Sequence, residues 1–157
     1  MTVVGVISDT HGLLRPQALA ALEGSDLIVH AGDVGDPAIL ERLGEIAPVH
    51  AVRGNTDHGA LAASLPLTHV VEVGDVRLYV LHILDELDLD PGTAGMAAVI
   101  YGHTHEPKTE RRAGVLYLNP GSAGPRRFSL PVTLARLAVD GGRIETELVD
   151  LVAVTGG

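Results

Sequence analysis

The sequence predicts an α/β protein in which two mixed β-sheets pack together and helices flank them. Two observations support this class. The first third of the chain alternates short apolar, β-branched runs with helical patterns, and the remainder is dominated by strands joined by tight turns. With 157 residues the chain can bury a substantial core, so we expect residues 1–157 to form a single domain.

The opening of the chain has a β-α-β-α-β pattern. Apolar runs at 3–8, 27–31 and 49–53 predict three buried strands, and leucines and alanines at helical spacing in 15–23 and 37–46 predict two helices between them. Pro16 and Pro37 suit the first turn of a helix, and Gly24 suits the end of one. Alternating strands and helices of this length are typical of a parallel sheet.

The second half of the chain is rich in strands. Runs at 68–73 and 76–81 are separated by Gly74 and Asp75, which favour a hairpin turn, and further strands are predicted at 97–101 and 115–118. The alternating segments 132–139 and 143–149 predict a closing hairpin. The basic stretch 108–112 lies between the predicted strands at 97–101 and 115–118.

Composition excludes several chemistries. The chain has no cysteine, which removes disulfides, cysteine zinc fingers, iron–sulfur clusters and thiol catalysis; a metal ion must therefore be held by histidine, carboxylate or amide oxygen. The formal net charge of −9 disfavours nucleic acid as a partner. No apolar run approaches the ~18 residues that span a bilayer, and no basic residue precedes Arg15. We therefore expect a cytoplasmic protein without a membrane partner.

Polar side chains follow five of the predicted strands at the point where each strand ends. In three places a glycine stands directly before the polar residue, which allows a sharp turn and close approach of the backbone to an ion. Ligands bind in the crevice beyond the carboxyl ends of strands in sheets of this kind. The seven side chains are Asp9, His11, Asp33, Asn55, His82, His103 and His105.

These residue types indicate a site for two transition-metal ions. Imidazole and carboxylate together suit manganese, iron, nickel or zinc better than calcium or magnesium. Seven groups exceed the needs of one ion, and one bridging carboxylate would serve a pair about 3.5–4 Å apart. Such a pair readies a water molecule as hydroxide and clamps a phosphoryl group during in-line attack.

Each of these residues also has a purely structural interpretation. Asp9 could cap a helix, Asn55 could serve a turn, and His82 could be a buried core histidine. His103 and His105 could be ordinary loop histidines. Their joint placement at strand ends favours the metal site.

The motifs resemble those of calcineurin-like metallophosphoesterases, specifically the small bacterial and archaeal phosphodiesterases. The similarity runs from about residue 3 to 126. The matching segments are Ser8-Asp9-Thr10-His11-Gly12, Gly32-Asp33-Val34, Arg53-Gly54-Asn55-Thr56-Asp57, Leu81-His82, Gly102-His103-Thr104-His105 and Asn119-Pro120-Gly121-Ser122.

The resemblance implies a four-layer αββα fold, two metal ions and the hydrolysis of small organic phosphodiesters by a metal-bridging hydroxide. It places Asp9, His11 and His105 on the first ion. It places Asn55, His82 and His103 on the second, with Asp33 bridging both. We expect the ions to be manganese, with iron, nickel and zinc as alternatives, and the partner to be a small phosphoester substrate.

Two positions depart from the family pattern. Thr56 stands where larger relatives carry a histidine that protonates the leaving group, so the general acid is unassigned and His58 is a candidate. Ile83 stands where a glycine is usual, which affects the second ion. The candidate catalytic residues are Asp33, Asn55 and His58. Without an obvious acid, we expect activity to be concentrated on esters with good leaving groups.

Three alternatives remain at this stage. The same fold serves as a non-catalytic scaffold in membrane-trafficking coats such as retromer, although all seven ligand positions are filled here. A phosphomonoesterase is the second, and a nuclease, disfavoured by the acidic balance, is the third. The composition is compatible with a homodimer or higher homo-oligomer without requiring one.

Residues outside the seven have weaker interpretations. His30, inside the second strand, is predicted to pack behind the site, and Asn119 to shape a turn or orient a ligand. His50 and His69 fall at strand starts, away from the crevice. Arg126 and Arg127 are candidates for contact with a substrate phosphate.

Overall fold

The computed structural model describes residues 1–152, and these form two five-stranded mixed sheets with three helices. The first part of the chain supplies three parallel strands and the helices between them. Its elements are β1 (Thr2–Ile7), α1 (Pro16–Leu22), β2 (Leu27–His30), α2 (Pro37–Gly44), β3 (Val49–Ala51) and α3 (Gly59–Ser64).

The remaining elements build the second sheet and complete the first. They are β4 (Thr68–Val73), β5 (Val76–Leu81), a 3₁₀ turn (Leu84–Glu86), β6 (Ala98–Ile100), β7 (Lys108–Arg112), β8 (Val115–Asn119), β9 (Thr133–Asp140) and β10 (Arg143–Asp150). The first sheet has the order β10-β9-β1-β2-β3 and the second β4-β5-β6-β8-β7. In both sheets three adjacent strands are parallel.

The main core lies between the two sheets. Val6 and Val29 of the first sheet belong to the same buried cluster as Leu78 and Ile100 of the second. Leu22 of α1 and Leu43 of α2 belong to a second buried cluster, on the outer face of the first sheet. Full burial of such a side chain is worth about 1.5–3 kcal/mol, so these clusters hold the layers together.

The predicted fold class is confirmed, with one difference in the outermost layer. All three helices contribute residues to the cluster on the first sheet. Within residues 1–152, the outer face of the second sheet is covered instead by the 3₁₀ turn and its neighbours, through Leu84, Leu87 and Leu89. The acidic residues around these leucines obscured this layer in the sequence.

Two elements were missed from the sequence. The stretch 108–112 is strand β7, at the edge of its sheet, and its residues are largely exposed, so it has no buried face to produce an apolar alternation. Helix α3 has six residues and buries only Ala62, which leaves little helical periodicity. Within the described residues no helix is long and apolar enough to cross a membrane.

Backbone hydrogen bonds tie the strand ends together where the seven polar residues lie. The N–H of Asp9 donates to Gly32 O at 3.0 Å, and the N–H of His11 donates to Asp33 O at 2.9 Å. Within the second sheet, the turns after β5 and β6 are linked in the same way, with the Gly102 N–H donating to His82 O at 3.0 Å. These bonds fix the positions from which the side chains extend.

Candidate active site

The Asp9 carboxylate is buried and held through one of its two oxygens. Oδ2 accepts hydrogen bonds from the Ser8 hydroxyl at 2.6 Å and from the His103 N–H at 3.1 Å. Oδ1 accepts none and lies 3.4 Å from Nε2 of His105 and 3.5 Å from Nε2 of His11. The second oxygen is therefore fixed in direction and free to bind a cation.

Asp33 has the same arrangement. Its Oδ1 accepts the Thr56 N–H at 2.9 Å, and its Oδ2 lies 3.1 Å from Nε2 of His82 and 3.6 Å from Nε2 of His11. The carboxylate thus faces both His11 and His82, which come from different sheets. That position is suited to contact with two neighbouring ions.

His82 is held in one tautomer. Its Nδ1 lies 2.7 Å from the Ala31 carbonyl oxygen and donates its proton there, so the neutral ring carries its lone pair on Nε2. This Nε2 is buried, has no hydrogen-bond partner and lies 3.8 Å from the equally unpartnered Oδ1 of Asp9. Two buried acceptors facing each other are costly unless a cation lies between them, so these residues fit a metal ion.

Five of the seven residues form two groups that could each hold an ion, and Asp9 belongs to both. The members of each group have their ligand atoms within 4.8 Å of one another. The groups are Asp9, His11 and His105, and Asp9, Asp33 and His82. The first group contains the three residues expected on the first ion.

Asn55 and His103 lie together at the exposed mouth of this cluster. Oδ1 of Asn55 is 3.1 Å from Nδ1 of His103, and the His103 ring is edge-on to that of His82 at 5.3 Å between centroids. All seven predicted residues are thus connected to one another through short contacts. His103 contacts both His82 and Asn55, but neither His103 nor Asn55 belongs to the two groups with the closest ligand atoms.

His58 is placed differently from the other candidates. It is exposed at the start of α3, and its Nδ1 lies 3.1 Å from the Thr56 carbonyl oxygen. Within residues 1–152 no side-chain hydrogen bond or ion pair joins it to the seven-residue cluster.

Buried charges and hydrogen bonds shift the pKa values of the cluster. Burial opposes ionisation of Asp9, but the close approach of His105 and His11, the hydrogen bond from Ser8 and the charge of His82 bring its pKa well below the usual range. Asp33 shows the same balance, with a lowered pKa due mainly to His82 and Thr56. Burial opposes protonation of His82, yet the two carboxylates raise its pKa. The site therefore keeps its carboxylates charged and favours positive charge beside them, which a bound cation would supply.

Five of the seven residues have left-handed backbone conformations, which are rare outside glycine. The positive φ angles are 55° for Asp9, 46° for His11, 56° for Asp33, 75° for His103 and 65° for His105. Such conformations cost of order 1–3 kcal/mol each and occur mainly at functional sites. They turn the side chains back toward the common centre directly after each strand.

His30 supports the cluster from behind, as predicted. The Gly32 N–H donates to its Nδ1 at 3.1 Å, so the proton is on Nε2, which donates to the Thr10 hydroxyl at 3.0 Å. Thr10 in turn donates to Val34 O at 2.8 Å. Burial lowers the pKa of His30 to about 4, so the ring is neutral near pH 7.

Asp57 is a supporting residue that sequence reasoning missed. Its carboxylate accepts backbone N–H groups from Gly54 at 2.9 Å, Gly35 at 3.0 Å and Val34 at 3.3 Å. It thereby joins the loop that carries Asn55 to the loop that carries Asp33. Its place at the end of a polar Gly-Asn-Thr-Asp turn was the only signal.

Asn119 orients the loop of His103. Its Nδ2 donates to Gly102 O at 3.1 Å and to the Thr104 hydroxyl at 3.0 Å, and its Oδ1 accepts the Gly121 N–H at 2.9 Å. Ser122 performs a similar task nearby, because its hydroxyl donates to Asp9 O at 2.9 Å. Both residues act on the backbone of candidate ligands.

Comparison with known proteins identifies the family of this chain. The model of the calcineurin-like phosphoesterase superfamily domain matches residues 1–142. The chain belongs to this superfamily. It is 34% identical over 162 residues to a probable metallophosphoesterase of Methanocaldococcus jannaschii, with 95% of this chain and 81% of that protein covered. It is 32% identical over 158 residues to phosphodiesterase YfcE of Escherichia coli K12, with 85% of each covered.

Solved structures agree with this assignment. The structure of YfcE, a phosphoesterase from Escherichia coli, matches with a TM-score of 0.70 and 26% identity, covering 96% of this chain and all of YfcE. Vps29 of Chaetomium thermophilum has a TM-score of 0.78 at 21% identity, covering 95% of this chain and 97% of Vps29, which shows a shared fold. This member of the calcineurin-like superfamily is a phosphoesterase, as predicted. The alternative of a non-catalytic scaffold is not better supported than the enzyme by these comparisons.

A cleft of about 220 Å³ adjoins the cluster of this phosphoesterase at His103. Its walls include the apolar Ile83 and Leu84 and the largely buried Tyr101. The charged residues in its lining are Asp85, Glu106 and Lys108. Arg126 and Arg127, the other candidates for substrate contact, are exposed.

Proposed function

We propose that the protein is a phosphodiesterase that hydrolyses small organic phosphodiesters with two divalent metal ions. The observation that carries this proposal is the pair of anchored carboxylates. Asp9 and Asp33 each use one oxygen in hydrogen bonds and direct the other toward histidine nitrogens. The similarity to proteins named phosphodiesterase supports the substrate class.

The proposed ligand assignment is the one that the family resemblance implies, and the grouping of Asp9, His11 and His105 supports its first part. Asp9, His11 and His105 would hold one ion. Asn55, His82 and His103 would hold the other, with Asp33 between the two. When bound, the ions lower the pKa of a water molecule and stabilise negative charge on the phosphoryl group.

The chain's own residues set the geometry for that chemistry. Ser8 and Thr56 hold the carboxylates in place, and Ala31 O keeps the His82 lone pair on Nε2. The cleft beside His103 would receive one ester group of the substrate. Its apolar walls can exclude water from one side of that group.

Hydrolysis of an ester with a poor leaving group also requires a general acid that protonates that group. The sequence offers His58 as the candidate acid, and this residue is exposed next to Thr56. We propose His58 as the acid for poor leaving groups, with aryl esters reacting without it. Rates of His58→Ala on a series of aryl and alkyl diesters test this role, because loss of an acid slows the alkyl esters most. Equal slowing across the series would remove His58 from the mechanism.

The proposal also covers the native metal ion, the cellular compartment and the oligomeric state. We propose manganese as the native ion, because imidazole and carboxylate suit it and the substrate chemistry needs no redox change. We also propose a cytoplasmic protein that acts on small phosphoesters and not on nucleic acid, in keeping with its net charge of −9. A homodimer is compatible with this site but not required by it.

The decisive experiment combines metal analysis with turnover. Manganese-loaded protein is assayed with bis-p-nitrophenyl phosphate, and the bound metal is counted. Asp33→Ala should abolish turnover and lower the metal content, because it removes the shared carboxylate. The matched control, Asp75→Ala in the exposed β4–β5 turn, should change neither. Full turnover by Asp33→Ala would exclude the proposed site.

The same preparation distinguishes a phosphodiesterase from a phosphomonoesterase. Hydrolysis of p-nitrophenyl phosphate is measured beside that of the diester at equal enzyme and metal concentration. A diesterase should show the larger kcat/KM on the diester. The reverse order would favour the monoesterase.

A further inference from the structure

Two histidines outside the seven-residue cluster face each other where the edges of the two sheets meet. His50 lies on β3, an edge strand of the first sheet, and His69 lies on β4, an edge strand of the second. The two edges are held together by the Arg53 N–H, which donates to Pro66 O at 2.8 Å. Each ring is therefore carried by its own sheet, and their meeting is set by the fold.

The geometry of the pair matches that of two metal ligands. Nδ1 of His50 and Nε2 of His69 are 3.3 Å apart, and the rings are inclined by 20° with centroids 5.4 Å apart. Two nitrogens bound to one tetrahedral zinc ion at 2.0–2.1 Å lie about 3.3–3.4 Å from each other. The same separation also fits a single N–H···N hydrogen bond.

The surroundings favour a ligand over a simple hydrogen bond. Both rings border an open groove of about 530 Å³, and Glu41 of α2 lines the same groove. Both histidines are partly exposed, so an ion can reach them from solvent. None of the seven candidate active-site residues lines this groove. Burial and the charge of His69 lower the pKa of His50, which favours the neutral ring that a metal ion needs as a ligand.

We propose that His50 Nδ1 and His69 Nε2 form an additional transition-metal site that takes zinc. Water molecules complete the coordination of the ion, and the Glu41 carboxylate on the same groove contributes negative charge. Because the ligands come from the edges of different sheets, the ion links the two sheets and stabilises the packed pair. This inference does not depend on the proposed function, since it concerns a different groove.

Zinc stoichiometry tests the proposal. Metal-free wild type, His50→Ala and His69→Ala are titrated with zinc against a chromophoric chelator. The wild type should bind one equivalent more than either variant. His58→Ala, which removes an exposed histidine outside this groove, is the matched control and should bind as many equivalents as the wild type. Equal binding by wild type and His69→Ala would overturn the site, as would an equal loss in His58→Ala.

Spectroscopy locates the ion independently of the count. In protein with ¹⁵N-labelled histidine, zinc should shift the resonances of His50 Nδ1 and His69 Nε2 together. The thermal unfolding temperature of the wild type should rise more with zinc than that of His69→Ala. Unmoved resonances of these two nitrogens at saturating zinc would show a hydrogen bond only. Circular dichroism of each variant confirms that it is folded before the titration.

Discussion

The carboxylate of Asp57 accepts the N–H of Gly54 at 2.9 Å, and through its other oxygen it accepts the N–H of Gly35. One buried side chain thereby joins the turns that follow β2 and β3. Asp33 belongs to the first of these turns and Asn55 to the second. The spacing of two candidate metal ligands thus depends on a residue that binds no metal itself.

Asp57→Asn tests this dependence. An amide retains only one acceptor oxygen, so at least one backbone N–H loses its partner. We expect a loss of about 1–3 kcal/mol in the free energy of unfolding and a lower kcat for diester hydrolysis. Urea denaturation and steady-state kinetics measure the two effects. Asp75→Asn, on an exposed turn, is the control, and equal stability of the two variants would contradict the prediction.

Gly54 is required for a steric reason. A Cβ at this position would overlap Oδ1 and the backbone nitrogen of Asp33. Gly54→Ala should therefore displace the Asp33 carboxylate and reduce both metal binding and turnover. Gly44→Ala, at the end of α2, meets no atom within 4 Å and should leave both unchanged. Metal analysis and the diester assay compare the two alanine variants, and equal activity would show that the turn can shift at little cost.

His103 allows the backbone strain of the site to be measured. Its φ is 75° and its side chain is exposed, so truncation creates no cavity in the core. Both His103→Ala and His103→Gly remove the imidazole, but only glycine adopts this conformation without strain. We expect the glycine variant to be about 1 kcal/mol more stable than the alanine variant. Denaturation of the metal-free proteins measures the difference, and an alanine variant of equal stability would argue against strain.

His30 predicts a pH dependence of stability. Its pKa is about 4 in the folded protein, against about 6.5 when unfolded, because burial disfavours the charged ring. Below pH 6.5 the unfolded chain takes up a proton that the folded chain does not, so this histidine destabilises the fold as the pH falls from 6.5 toward 4. At pH 7.5 the contribution is absent.

The variant His30→Gln isolates this contribution. Between pH 7.5 and 5 the wild type should lose about 2 kcal/mol more than the variant in its free energy of unfolding. Urea denaturation at both pH values gives the comparison, with the other titrating groups common to both proteins. A difference that does not change with pH would mean that His30 is protonated in the folded state.

Much of the site could be predicted because parallel strands end at a common edge. Asp9, Asp33 and His82 follow strands β1, β2 and β5, and their convergence needs only the strand order and the rule for ligand position. The outer layer on the second sheet, by contrast, consists of leucines in an acidic segment, and β7 is an exposed edge. Neither leaves a periodic signal in the sequence.

Other features depend on tertiary contacts that no local pattern encodes. The tautomer of His82 is set by a carbonyl 51 positions away in the chain. Asp57 looks like a turn residue until its three N–H donors are brought around it. His50 and His69 meet only because the edges of two separate sheets come together, so their strand positions gave no reason to pair them.

The five left-handed residues also bear on how members of this fold change over time. As long as the imidazoles and carboxylates are needed, selection retains backbone conformations that a glycine would adopt more easily. A descendant that ceased to hydrolyse phosphoesters would gain thermodynamic stability by exchanging these side chains for glycine or asparagine. Loss of the ligand residues would then raise the stability of the fold. It would occur first at these five positions.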